Sequence, residues 1–280
     1  MRSAWIAVAA LALAACDRQD EDRPRVDIKP AAIAYDGATT TDRAALIAHG
    51  ERLTKVLGCR GCHGDNLQGE KFADEPGFGA IHASNLTIAL QAYNDAGIEN
   101  VLRRGKRPDG SDLWAMPSEM YQYLGEQDMV ALVAYLRSLS PAGKAMPPPR
   151  IETGWRAEIA SGKYKNSAGY IAEERGVVPI ELGAAHSRAR MIAMTACTEC
   201  HAAQLEGRDD TPNLDIVGAY SAEQFATLMR TGKPVGGREL RMMSGVARGR
   251  FAHFTDREVA ELYAYLKARV DRPQQADRKP

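Results

Sequence analysis

The 280-residue chain has no charge excess: 36 basic side chains face 36 acidic ones. It therefore lacks the surplus of Lys and Arg that displaces counterions from a phosphate backbone, which excludes a nucleic-acid partner. Long hydrophobic runs are missing too. The longest uncharged apolar stretch, residues 4–15, spans 12 positions, short of the ~20 that a helix needs to cross a bilayer, so a polytopic membrane protein is excluded. No stretch shows the convincing apolar-polar alternation of strands, which points to an all-α chain. Cysteines are few, five in all, and their placement carries most of the chemistry.

What is present begins with an export signal. Arg2 supplies a positive start, and residues 4–15 form an apolar segment of signal-peptide length. The segment ends in Leu13-Ala14-Ala15-Cys16, which resembles a bacterial lipobox and implies removal of residues 1–15 and lipidation of Cys16. The alternative is cleavage at a small-residue site with Cys16 left as a spare thiol; either way the protein leaves the cytosol. Nine of the fourteen residues from Asp17 to Pro30 are charged, too polar to bury themselves, so residues 16–40 are expected to be a disordered tether.

The remaining four cysteines form two identical patterns, Cys59-Arg60-Gly61-Cys62-His63 and Cys197-Thr198-Glu199-Cys200-His201. Two thiols one helical turn apart can add to the vinyl groups of a porphyrin, and the adjacent imidazole then reaches the iron as its proximal ligand. Other uses fit less well. A zinc ribbon wants its two pairs about 15–20 residues apart, whereas here 134 residues lie between them. A thioredoxin-like dithiol expects a strand-helix-strand setting. Structural disulfides do not demand His63 and His201.

The chain is also an internal repeat. Asn66-Leu67-Gln68-Gly69 matches Gln204-Leu205-Glu206-Gly207, Asn85-Leu86 matches Asn213-Leu214, and Arg103 and Gly105 match Arg230 and Gly232. Each copy closes with an apolar stripe at helical spacing: Met129, Leu132, Val133 and Leu136, then Val259, Leu262, Tyr263 and Leu266. Thr255 with Glu258 predicts a capping box, and Gly125 with Asp128 a weaker version of it. Residues 44–57 and 184–196 read as helices leading into the two motifs, with short central helices over 97–104 and 222–230.

On these motifs each copy resembles a class I cytochrome c domain, and the whole is similar to bacterial dihaem cytochromes c of lipoprotein type. The resemblance rests on CRGCH and CTECH, on NLT and NLD, on AMPSEMY with ALVAYLRSL, and on MMSGVARGRF with ELYAYLKAR. It implies two tandem all-α domains, residues 41–142 and 180–270, each wrapped around one covalent haem c. Residues 143–179 are expected to link them and 271–280 to form a disordered tail. Trp155, Ile159, Tyr164, Tyr170 and Ile171 suggest that much of the linker lies against a domain.

Function turns on the sixth iron position. A methionine thioether there suits electron transfer, whereas an open position permits catalysis. In the first copy Met116 precedes Pro117, which holds it extended so that its side chain projects from a loop; the family places its ligand in such a Met-Pro loop, and Met120 is the local rival. In the second copy Met242 and Met243 compete with no proline after them, and the resemblance favours Met243. His49, His82, His186 and His253 read as surface or hydrogen-bonded histidines. Arg103 and Arg230 recur at matching sites, either as solvated helix ends or as donors to haem propionates. Asn85, Asn213 and Trp114 are further candidate donors, although loop capping accounts equally well for the asparagines.

The expected function is one-electron transfer between redox proteins, a dehydrogenase, an oxidase or another cytochrome, at the periplasmic face of the inner membrane, with Cys16 as the anchor. The alternative is a dihaem, peroxidase-like enzyme with one exchangeable haem site. A thiolate-ligated sulfur enzyme would need a spare cysteine, and lipidation leaves none.

Overall fold

The computed structural model describes residues 33–272. The export signal, Cys16 and the tether up to residue 32 lie outside the described residues, as does the tail from 273. Thirteen α-helices carry the described chain, joined by 3-10 turns and one small sheet.

The first repeat begins with α1 (Arg43–Val56) and runs directly into α2 (Cys59–His63). There follow α3 (Leu86–Ala89), α4 (Asp95–Arg104), α5 (Ser118–Tyr121) and α6 (Glu126–Ser138). Two helices occupy the join, α7 (Thr153–Ala160) and α8 (Ser167–Glu173). The second repeat comprises α9 (Ser187–Ala196), α10 (Thr198–His201), α11 (Ala222–Thr231), α12 (Arg241–Gly249) and α13 (Asp256–Asp271).

In each repeat the first and last helices pack on one another, α1 on α6 and α9 on α13. The α1/α6 crossing is close enough that a Cβ on Gly50 would stand 2.0 Å from the Ala131 carbonyl oxygen, so only glycine fits. The sequence stripes supply the buried faces: Met129, Leu132, Val133 and Leu136 in α6, and Val259, Leu262 and Leu266 in α13. Thr255 and Glu258 form the expected capping box, and Ser221 with Gln224 forms another at the start of α11. Among the described residues no helix is long and apolar enough to cross a membrane.

Two features, the sheet and the early end of the tether, depart from the sequence expectations, while the packed join agrees with them. A small antiparallel sheet, β1 (Lys71–Glu75), β2 (Gly79–His82) and β3 (Arg150–Ile151), sits in the first repeat. Its hairpin turns at Pro76-Gly77, where Gly77 has φ 79°; the strands are too short for alternation to register. The presumed linker is folded: Trp155 and Ile171 are buried, and Tyr164 stacks on Trp114 while meeting Trp155 edge-on. The tether ends earlier than residue 40, because Tyr35 and Ala38 are buried in the body.

That N-terminal segment stitches the two repeats together. Asp128 of α6 and Glu258 of α13 occupy the same helical position, three residues past the N-cap, and both are fully buried. Consecutive backbone amides serve them, Tyr35 N–H donating to Asp128 Oδ2 and Asp36 N–H to Glu258 Oε1, each at 2.9 Å. His49 holds the other Asp128 oxygen at 2.7 Å, and Arg52 grips both oxygens of Glu258 at 2.9 and 3.1 Å. The Tyr35 hydroxyl reaches Thr195 Oγ1 of α9 at 2.7 Å. Paired and bonded in this way, the buried carboxylates tie helices of different repeats to one strand of chain.

Candidate functional site

Each attachment motif forms one helical turn with its histidine buried, 9% exposed at His63 and 8% at His201. His63 Nδ1 donates to the Ser84 carbonyl at 2.7 Å and His201 Nδ1 to the Pro212 carbonyl at 2.8 Å. That bond fixes the tautomer and leaves Nε2 with its lone pair, the geometry of a metal-ligating imidazole. Burial also lowers the pKa of both rings and keeps them in the neutral, ligating form.

The acceptor carbonyls belong to the residues just before Asn85 and Asn213. Asn85 Oδ1 accepts from Thr87 N–H and its amide donates to the carbonyls of Ala142 and Lys144. Asn213 Oδ1 accepts from Asp215 N–H and from Arg269. Their polar atoms are thus spent on capping the turns that present the histidines' acceptors. The loop between is also duplicated: Gly69 N–H returns to the His63 carbonyl and Gly207 N–H to the His201 carbonyl, with Leu67 and Leu205 both in the left-handed region.

None of the four motif cysteines is paired in a disulfide. Burial pushes Cys59 up to about 11 and Cys197 up to about 12, and raises Cys62 and Cys200 as well. A working redox dithiol needs the opposite, a lowered pKa in a cationic, accessible setting. Nor do three His, Cys, Asp or Glu side chains gather into a metal-holding cluster among the described residues. Paired thiols next to an oriented neutral imidazole, given twice, fit a covalently attached haem and neither a zinc site nor a disulfide exchanger.

A cytochrome c family model matches residues 47–140 and 187–269, which is most of the chain. The chain belongs to the cytochrome c family. As a cytochrome c with two such regions it carries two covalently bound haem c groups. It is 23% identical to the fructose dehydrogenase cytochrome subunit of Gluconobacter japonicus, over 79% of this chain and 52% of that one. It is 25% identical to a diheme cytochrome c-type protein of Cereibacter sphaeroides, over 55% of this chain and 56% of that one. It is 29% identical to the cytochrome c subunit of a quinone alcohol dehydrogenase of Gluconacetobacter polyoxogenes, over 40% of this chain and 25% of that one. The cytochrome spans about half the length of the fructose dehydrogenase subunit it matches.

The methionine candidates separate by burial. Met116 sits on the pre-proline segment ahead of α5, half-buried against the core. Ser167 of α8 donates from Oγ to the Met116 carbonyl at 2.6 Å, so the folded join buttresses this loop. Met120 is 1% exposed within the core. In the second repeat Met243 lies in the first turn of α12, half-buried against the core, whereas Met242 is 74% exposed. Met129, Met191, Met194 and Met229 are buried among apolar neighbours. Of the other histidines, His49 pairs with Asp128 and His253 is exposed.

Arg103 and Arg230 make matching bonds within their own repeats. Arg103 donates to the carbonyls of Gln122 and Leu124 and to Glu99, and lies 3.6 Å from Glu126. Arg230 donates to the carbonyls of Phe251, Ala252 and Phe254 and to Asp256. Both therefore clamp the turn that launches the last helix of their repeat, together with that helix's first acidic residue. A recurrent arginine pointed correctly to a recurrent acceptor set, but the acceptors are backbone carbonyls. Trp114 is committed to its stack on Tyr164 at 5.7 Å.

Sequence reasoning missed the residues that join the two sites. Tyr35 and Asp36 fell in the presumed tether, and Arg250 and Glu199 carried no motif role. The one available signal was the doubled acidic position, Asp128 and Glu258, too hydrophobic in setting to be mere caps.

Proposed function

We propose that this cytochrome is a membrane-anchored electron-transfer subunit or carrier of the bacterial periplasm, moving single electrons between a dehydrogenase and a further redox acceptor. The carrying observation is the duplication of the complete site, histidine, carbonyl partner and half-buried methionine, in one continuous body. Dehydrogenase cytochrome subunits among the relatives support a dehydrogenase as donor.

His63 with Met116 and His201 with Met243 would hold the two haem irons. Haem iron supplies one-electron chemistry when bound, and a thioether sixth ligand favours its reduced state. The chain's own part is to hold each imidazole by its Nδ1 bond, to keep each thioether against the core and to exclude water from both. Arg103 and Arg230 stabilise the frame around these sites by clamping the turn before the last helix of each repeat. Anchoring is assigned to lipidated Cys16 at the inner membrane, with the charged stretch behind it as the spacer.

Carbon monoxide binding and ligand-sensitive spectra of the full holoprotein test this reading. The parent protein is expected to be low-spin at both haems and to bind carbon monoxide slowly or not at all. Met116→Ala should open the first haem only, and Met243→Ala the second only. Rapid carbon monoxide binding by the parent, with turnover of peroxide, would replace the carrier with a peroxidase-like enzyme. For the anchor, Cys16→Ser should lose its acyl chains and leave the membrane fraction; retention there would overturn lipid anchoring.

A further inference from the structure

Arg250 lies just past α12, between the two haem-attachment motifs. Its Nη1 donates to Oε2 of Glu199, inside the second motif, at 2.9 Å, and its Nε to the Val56 carbonyl, at the end of the helix leading into the first motif, at 3.3 Å. A Cβ built on Gly58, the residue before Cys59, would stand 2.7 Å from the Arg250 Cζ. Glycine is required there twice over, since Gly58 also has φ 80°. The guanidinium thus bonds the second motif and the residues that lead into the first, although the two are far apart in the sequence.

Among the described residues the cation is incompletely matched: its side chain is 14% exposed, and Nη2 is buried with no hydrogen-bond partner there. Among the described residues Glu199 is its one salt-bridge partner, and it is 37% exposed, so water screens the anion more than the cation. Glu199 lies between Cys197 and Cys200, and Gly58 precedes Cys59, so the guanidinium stands beside both attachment segments.

We propose that Arg250 is a shared electrostatic positioning residue: one buried guanidinium, braced between the second attachment motif and the residues leading into the first, raises the reduction potentials of the two haems together. A ferric haem carries one more positive charge than a ferrous one. A fixed cation in poorly solvated surroundings therefore disfavours the oxidised form of each, and Glu199 works against it. A single charge between the two sites moves both potentials in the same direction, which keeps electron passage between them from becoming steeply uphill.

The two members of the ion pair give opposite predictions, which separates charge from structure. Arg250→Met and Glu199→Gln break the same contact, so a merely structural role would shift both variants alike. In the full holoprotein, with two attached haems verified by intact mass, the potential of each haem is measured at fixed pH and ionic strength. Arg250→Met is expected to lower the reduction equilibrium of both haems roughly tenfold, which is 59 mV for a one-electron couple. Glu199→Gln should raise both, and Arg250→Lys should stay near the parent. The proposal is overturned if Arg250→Met and Glu199→Gln move the potentials the same way, if only one haem responds, or if Arg250→Lys falls as far as Arg250→Met. Should Arg250→Met fail to assemble, the Glu199→Gln and Arg250→Lys proteins decide it by the same criteria.

Discussion

Arg52→Met should cost this protein about 3 kcal/mol, because it strands a carboxylate that has no access to water. Glu258 is fully buried, while Arg52 is 21% exposed and holds both of its oxygens. Removing one partner of a buried pair costs ~3–5 kcal/mol. The lower end applies because the backbone amides of Asp36 and Thr255 still serve Glu258, at 2.9 and 2.8 Å. The change also frees two carbonyls that Arg52 bonds, those of Asp36 at 2.7 Å and His253 at 3.1 Å. Guanidinium denaturation of the holoprotein, followed by far-ultraviolet circular dichroism, reads the cost as a lower midpoint. Charge removal on the other side should relieve part of it, so the double variant Arg52→Met/Glu258→Gln is expected to be less destabilised than the two single changes added together. A loss below about 1 kcal/mol for Arg52→Met, or strict additivity in the double variant, would refute the view that this pair is a buried bond between the repeats.

Three further outcomes are expected. Burial raises the Glu119 carboxyl to about 7, with Glu174 and Glu199 adding to the rise. The fold therefore favours its acid form, and the stability this contributes is full below the unfolded value near 4.5 and lost as pH rises through 7; thermal melts should weaken from pH 5 to 8 by up to ~3 kcal/mol, and Glu119→Gln should flatten that slope, an unchanged slope counting against it. Ala202 holds φ 63° and ψ 165° where the first repeat has Gly64 at φ 77° and ψ 159°, so Ala202→Gly should stabilise the protein by about 1 kcal/mol, read as a raised melting temperature, and a lowered one would show that no strain is stored there. Ser167→Ala should remove the bond to the Met116 carbonyl, cost about 1–2 kcal/mol and speed binding of added imidazole at the first haem alone; equal effects at both haems would show that α8 does not buttress the Met116 loop.

What the sequence determined by itself is the chemistry that is local along the chain. Two thiols and an imidazole within five residues are a complete attachment unit, and each motif forms one helical turn. Helix periodicity and capping are likewise read over one or two turns, which is why α6 and α13 and the capping box at Thr255 were legible. Tertiary structure decided whatever depends on a distant partner. Met243 and Met242 are chemically equal neighbours, and only the rotation of α12 against the core turns one inward and leaves the other 74% exposed. Arg103 and Arg230 could be seen to recur, but their acceptors are backbone carbonyls, which no sequence displays. The charged composition of the tether gave no hint that Tyr35 and Asp36 complete two buried carboxylates, since the partners lie 93 and 222 positions away. Arg250 meets Val56 from 194 positions away and Glu199 from 51. A buried charge is tolerable only where the folded chain brings a counter-charge or dipole to it, so its role is written in the packing of the two repeats and in neither motif alone.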